Sequence, residues 1–239
     1  MDPKQILGAV AEVYASCSTY RDSGQVTIRF LCPEGRSPRT SVKPFTTAFR
    51  RPARFRFEYQ ARYRVQDKWK RYIVWADGPA VRTWWDLIPR GEQPQSLGRA
   101  LAAATGVSSG SAHTVPALLM PDRVRGSRLT ELAELVSLGD EPLDEVICYR
   151  LSGCLPPHPV EAAEQERRSR ERLGPARRLE RVERSPMTVW IERGTLLVRR
   201  IEYATQFETF RTENVTQYAP AVGVQLSDDE LRFGAPEAA

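Results

Sequence analysis

The sequence predicts a mostly β protein of the α+β class, one large curved antiparallel sheet with a single apolar face covered by helices. Three observations predict it. Runs with two-residue periodicity follow one another in both halves of the chain, separated by turn residues. An amphipathic helix opens the chain, and an alanine-rich helical insert divides the strands into two sets. A sheet with one greasy face must bury it by closing on itself or by being covered, and the helices are the available cover.

Taken in order, "PKQILGAVAEVYAS" repeats Ile6, Leu7, Val10, Val13 and Tyr14 at helical spacing, with Pro3 suited to a first turn. "YRDSG" breaks that pattern, and "QVTIRFL" starts a strand with Val26, Ile28 and Phe30 on one face. "VKPFTTAF", "RFRFEYQARY", "KRYIVWAD" and "AVRTWWDL" continue the strands, and Asp77-Gly78 signals a hairpin because glycine accepts the positive φ of such a turn. "SLGRALAAATG" reads as a helix with Ser96 as N-cap, Leu97, Ala100, Leu101 and Ala104 on one side, and Gly106 as its stop. A Ser/Gly loop, "VSSGSAHT", leads to "VPALLMPD", a short apolar turn or helix containing Leu118 and Leu119. "SRLTELAELVSL" offers a further helical turn or two, in part extended. Strands resume with "LDEVICYRLSG", with "MTVWIERGTLLVRRIEYAT" around a hairpin at "ERGT", and with "FETFRTENVTQYA". The whole chain, 1–239, is read as one domain, with a helical lid insert at about 96–137 and a charged excursion at about 156–186.

Within this order "AFRRPARFRFEY", residues 48–59, poses a question. Alternation puts Phe49, Arg51, Ala53, Phe55, Phe57 and Tyr59 on one face, with Arg50, Pro52, Arg54, Arg56 and Glu58 on the other. An arginine therefore sits among aromatics, and a buried guanidinium must find acceptors.

Composition narrows the function. The 239 residues are 41% hydrophobic and 27% charged, with no apolar run near the ~20 residues a membrane helix needs. The formal charge is +5, yet 31 of the 35 basic residues are arginines scattered among 30 acids. No RNP-like motif or zinc-finger spacing organises them, so no nucleic-acid partner is expected. Residues 161–184 carry eight arginines and six glutamates, a solvated excursion or a basic surface for lipid head groups or a partner. Cys17, Cys32, Cys148 and Cys154 form no C-x-x-C, and on one strand Cys148 and Cys154 lie about 20 Å apart, too far for a disulfide. Two histidines without H-E-x-x-H predict no metal centre, and no P-loop or Rossmann fingerprint predicts a cofactor. "GVSSG" at 106–110 satisfies G-x-S-x-G around Ser108, and His158 follows with acids between them. The nucleophile elbow needs a strand before the serine and a helix after it, whereas a helix and a loop are predicted, so no catalytic residue is assigned. "MDPKQILGAV" does not read as a signal peptide as written.

"FRRPARFRF", "IVWADGPAVRTWW", "TVWIERGTLLVRRIEY" and the tail "DDELRFGAP" occur in an order that resembles the periplasmic lipoprotein carriers of the LolA-like family and their outer-membrane lipoprotein-sorting relatives. The resemblance implies an unclosed β-barrel whose mouth is covered by helices, with the tail as a closing strand. It implies a non-enzymatic carrier for lipid acyl chains or lipoproteins in the periplasm or cell envelope, working as a monomer with a membrane-associated acceptor protein. The fold also serves periplasmic stress sensors, so the alternative reading is a lipid- or lipoprotein-sensing regulator on the same fold that acts through a protein partner. The matching arginine, Arg51, would latch the lid, and the expected ligand wall comprises Phe49, Phe55, Phe57, Tyr59, Tyr72, Trp84, Trp85, Leu97, Leu101, Leu118 and Leu119. Parity does not decide which of Trp84 and Trp85 faces inward.

Overall fold

The computed structural model describes residues 1–31, 37–62, 68–108, 110–125, 128–155, 181–207 and 209–234. Helix α1 (Pro3–Ser16) starts where the sequence predicts. Asp2 accepts from the Lys4 N–H at 2.7 Å, Gln5 Oε1 accepts from the Asp2 N–H, and Ile6, Leu7, Val10 and Tyr14 form the buried stripe.

Thirteen strands make one sheet among the described residues. The first six are β1 (Thr19–Leu31), β2 (Arg39–Arg50), β3 (Arg54–Arg62), β4 (Trp69–Asp77), β5 (Ala80–Trp85) and β6 (Ile88–Glu92). After the helices come β7 (Ala133–Leu143), β8 (Val146–Cys154), β9 (Arg181–Arg184), β10 (Met187–Glu192), β11 (Val198–Phe207), β12 (Arg211–Gln217) and β13 (Ala221–Val222). The order β6-β5-β4-β3-β2-β1-β12-β11-β10-β8-β7 leaves β6 and β7 as edges, so the sheet is unclosed; β13 adds to β1 and β9 to β11. The paired strands are antiparallel, and β1 joins the two halves by pairing with both β2 and β12.

Strand β1 begins six residues before the predicted start. Tyr20 and Asp22, in the stretch that reads as a break, are buried on the same face as Val26 and Ile28. Gly24 is what allows this. A Cβ there would lie 2.4 Å from Gln217 O and 2.5 Å from Phe45 Cζ, so the residue that looks like a turn signal is a close-approach site inside a strand.

Pairing corrects the reading of residues 48–59 as a single alternating run. Arg50 pairs with Arg54 and Phe49 with Phe55, so residues 51–53 are the turn of a hairpin. The partners differ by an even number, which carries the same parity across the turn and keeps Phe49, Phe55, Phe57 and Tyr59 on one face. Gly78, with φ 56°, opens the two-residue turn between Asp77 and Ala80.

The helices differ from the expected ones in three places. Helix α2 (Leu97–Ser108) takes its predicted start, with the Arg99 N–H donating to Ser96 Oγ, but runs past Gly106. Helix α3 (Ser111–Leu119) occupies part of the expected Ser/Gly loop and carries Pro116 in its interior. Beyond it the helical insert expected at about 96–137 stops short: helix persists only as a 3-10 turn, Leu129–Glu131, and from Ala133 the chain is strand β7, the extended part of "SRLTELAELVSL". The backbone there pairs with β8, so sheet hydrogen bonds replace the helical ones. Of the charged excursion at 156–186, residues 156–180 lie outside the described residues, and Arg181–Arg184 form β9 against β11.

The tail is not a closing strand. Residues 226–233 cross the outer face of β2–β5 as a turn-rich strap. Leu226 and Leu231 pack on Ala48, Trp75 Nε1–H donates to Leu231 O at 2.6 Å, and Phe233 packs on Trp75 with ring centroids 6.1 Å apart. Asp228 receives Arg54 at 2.9 Å and Arg50 at 3.3 Å. Ala48 and Trp75 would otherwise expose apolar surface on the outer side, so local hydrophobic burial settles where the tail lies.

Candidate functional site

The inner face of the sheet meets the helices in one apolar cluster containing Phe49, Phe55, Phe57, Tyr59, Leu97, Leu101, Leu118 and Leu119, all 3% exposed or less. Transverse pairing builds this wall. Phe49, Phe55, Ala76 and Val81 form one row across β2–β5; Thr47, Phe57, Val74 and Thr83 form the next; Phe45, Tyr59, Tyr72 and Trp85 form a third. In the third row Tyr59 and Tyr72 stack at 5.6 Å and Tyr72 meets Trp85 at 6.1 Å.

The same register separates the two tryptophans. Trp85 is on the inner face with Tyr72, whereas Trp84 pairs with Ile73 on the outer face and donates its Nε1–H to Asp86 Oδ1 at 2.7 Å. Trp84 is therefore removed from the expected ligand wall. The pleat fixes this as soon as Asp77 and Ala80 are known to be partners.

Arg51 stands at the end of the wall, beside Phe49. Its guanidinium lies 5.2 Å from that ring centroid, a cation–π contact. Nε–H donates to Cys17 O at 2.8 Å, and Nη2–H donates to Tyr14 O at 3.0 Å and Leu119 O at 3.3 Å. The backbone N–H of Arg51 also donates to Ser18 O at 2.9 Å. These acceptors are the terminal carbonyls of α1 and α3, which lack partners within their helices and carry the negative end of the helix dipole. One planar side chain with a fixed fork of donors thus ties two helix ends to one hairpin turn. The question of an arginine among aromatics has a geometric answer: it is a turn residue whose charge reaches out of the aromatic row to carbonyls.

Two further ties close this end. Arg123 Nη2–H, in the segment after α3, donates to Gly78 O at 2.7 Å, joining it to the β4–β5 turn. On the inner side, Tyr14 Oη accepts from the Val198 N–H at 3.0 Å, tying α1 to β11. Sequence reasoning missed both, because each partner lies far along the chain.

It also missed Asp22, a carboxylate 2% exposed on the inner face of β1. One of its oxygens accepts from the Ala219 N–H at 2.8 Å. Burial pushes its pKa up to about 6, opposed by the Ala219 hydrogen bond and by the charge of Arg199. Tyr14, Tyr20 and Tyr218 surround it, and burial raises the pKa of each.

Ser108 ends α2 and is fully buried; its Oγ accepts from the Ala112 N–H, in the first turn of α3, at 3.2 Å. A helix precedes the serine, as the sequence implied, whereas helix α3 follows where a loop was expected, and His158 falls outside the described residues. Cys17, Cys148 and Cys154 are free thiols. Among the described residues no three His, Cys, Asp or Glu side chains gather as a metal site, and no helix is long and apolar enough to cross a membrane.

No protein-family model and no curated protein sequence matches the chain. Solved structures do. The chain is similar to lipoprotein LppX of Mycobacterium tuberculosis, at 14% identity over 95% of this chain and 99% of that one, with a TM-score of 0.43. It is similar to LprF of Mycobacterium bovis at 12% identity, over 94% of each chain, with a TM-score of 0.46. A LolA superfamily protein of Nitrosomonas europaea is 10% identical over 97% of this chain and 98% of that one, with a TM-score of 0.32.

Proposed function

We propose that the protein binds lipid acyl chains, free or attached to a lipoprotein, between the inner aromatic wall and the α1–α3 lid, as a non-enzymatic carrier of the cell envelope. The observation that carries this reading is the division of labour at the lid. The surfaces that meet are apolar, whereas Arg51 and Arg123 hold the closed end by hydrogen bonds to backbone carbonyls. Such a closure can be exchanged. An acyl chain gains about 0.8 kcal/mol per buried methylene, and a net hydrogen bond from a charged group is worth about 1.5–3 kcal/mol. Four or so methylenes therefore offset one such bond, and a long chain offsets all of Arg51's. The wall side chains are Phe49, Phe55, Phe57, Tyr59, Tyr72 and Trp85, with Leu97, Leu101, Leu118 and Leu119 opposite. An acceptor protein at the membrane would take the ligand from the opened lid.

The test is native mass spectrometry of the full chain, purified without detergent, together with displacement of a fluorescent fatty acid. Bound species at lipid masses, displaced by competing fatty acid, are expected. Protein that carries no lipid and takes up no fatty acid would overturn the reading.

A further inference from the structure

The sheet has two rims. At one, the turns at 51–53 and 78–79 meet the helices through Arg51 and Arg123. The opposite rim contains the starts of β2, β4 and β6 and the ends of β3 and β5. Burial falls away toward it along the inner face: on β4, Ala76 and Val74 are 0% exposed, whereas Tyr72 and Lys70 are half-buried.

Three of the seven large apolar side chains exposed among the described residues are on this rim: Val42 at 41%, Trp69 at 48% and Ile88 at 49%. Arg62 pairs with Trp69 and Ile88 with Trp85, which places Trp69 and Ile88 at the rim ends of β4 and β6, on either side of β5. Cations share this rim. Arg39 and Lys68 are exposed, and Lys70 sits opposite Ala61 on the inner side. Three of the chain's four lysines, Lys43, Lys68 and Lys70, are here, although arginine supplies almost all its other positive charge. Among the described residues the acids nearby include Asp86, which binds Arg71 at 3.3 Å, and the exposed Glu92.

Exposed tryptophan and aliphatic side chains beside lysine and arginine match the boundary of a bilayer. The ring and aliphatic groups reach the acyl boundary, and the ammonium groups stay among anionic head groups. We infer that this rim docks on an anionic lipid surface and turns the open end of the inner face toward the bilayer. The inference rests on the acyl-binding reading for what passes across that contact, but its test is separate.

The probe is vesicles of phosphatidylcholine with and without an equal part of phosphatidylglycerol, sedimented with the full chain at low ionic strength and at about 1 M salt, where screening acts within about 3 Å. Binding to the anionic vesicles alone, lost in high salt, is expected. Brominated lipid should quench the wild-type protein more than Trp69→Phe. Each cation near such a surface is worth about 1 kcal/mol, so Lys68→Ala with Lys70→Ala should weaken binding about thirty-fold. Trp69→Ser with Ile88→Ser should also weaken it, while both double variants keep wild-type circular dichroism and fatty-acid affinity in free solution. Equal binding to neutral vesicles, unchanged quenching, or lysine variants that bind as wild type would each overturn the inference. Failure to bind any vesicle by protein that still takes up fatty acid would sink the docking alone. Vesicle binding without fatty-acid uptake would sink the acyl reading instead.

Discussion

Replacing Arg51 by leucine removes the side-chain tie between two helix ends and the β2–β3 turn. The two shorter bonds, 2.8 Å to Cys17 O and 3.0 Å to Tyr14 O, are worth about 1.5–3 kcal/mol each as charge-assisted hydrogen bonds, and the 3.3 Å bond to Leu119 O adds less. Leucine removes the cost of partly desolvating the guanidinium, which returns part of that sum. The expected net loss is about 3 kcal/mol, read as a lower urea midpoint with an unchanged slope. Lysine should recover only part of it, because one ammonium cannot reproduce the planar fork that reaches three carbonyls. Hydrogen exchange should show where the loss falls. Amides near Leu119 and at the α1 C-terminus, Tyr14–Cys17, should exchange faster, and those of β10 and β12 should not. Fatty-acid uptake should become faster, since the closed lid no longer competes with the ligand. Arg51→Leu protein with wild-type stability, wild-type exchange at both helix ends and unchanged uptake would refute the latch.

Other perturbations test the surrounding argument. Asp22 has a pKa raised from 3.8 to about 6, so the native state holds a proton that the unfolded chain has released. Its contribution to stability is present below pH 4 and is lost as pH rises to about 6. The shift is roughly two units at 1.36 kcal/mol each, so Asp22→Asn should gain about 3 kcal/mol relative to wild type between pH 4 and pH 7.5 in urea titrations. A constant difference across that range would refute the assignment. Gly24→Ala should cost about 3 kcal/mol by thermal unfolding, because its Cβ would meet Gln217 O and the Phe45 ring at under 3 Å. Leu231→Ala should cost about 2–3 kcal/mol and shift Trp75 emission to the red as the strap lifts from the outer face.

Much of the wall is legible in the sequence, for a definite reason. Strand side chains alternate whatever the partner strand is, so Phe55, Phe57 and Tyr59 had to share a face once their run was extended. The cap of α2 was legible in the same way, since Ser96 acts on an amide three residues away. What tertiary structure decided is whatever depends on which strand lies beside which. Trp85 rather than Trp84 faces the helices because the β4–β5 register says so. Residues 133–143 are strand because β8 offers them partners. The tail is a strap because Ala48 and Trp75 leave apolar surface to cover. By itself the sequence determined that Arg51 needed acceptors. Only the fold could supply Tyr14, Cys17 and Leu119, because their carbonyls come within reach only when two helix ends are carried to the same turn.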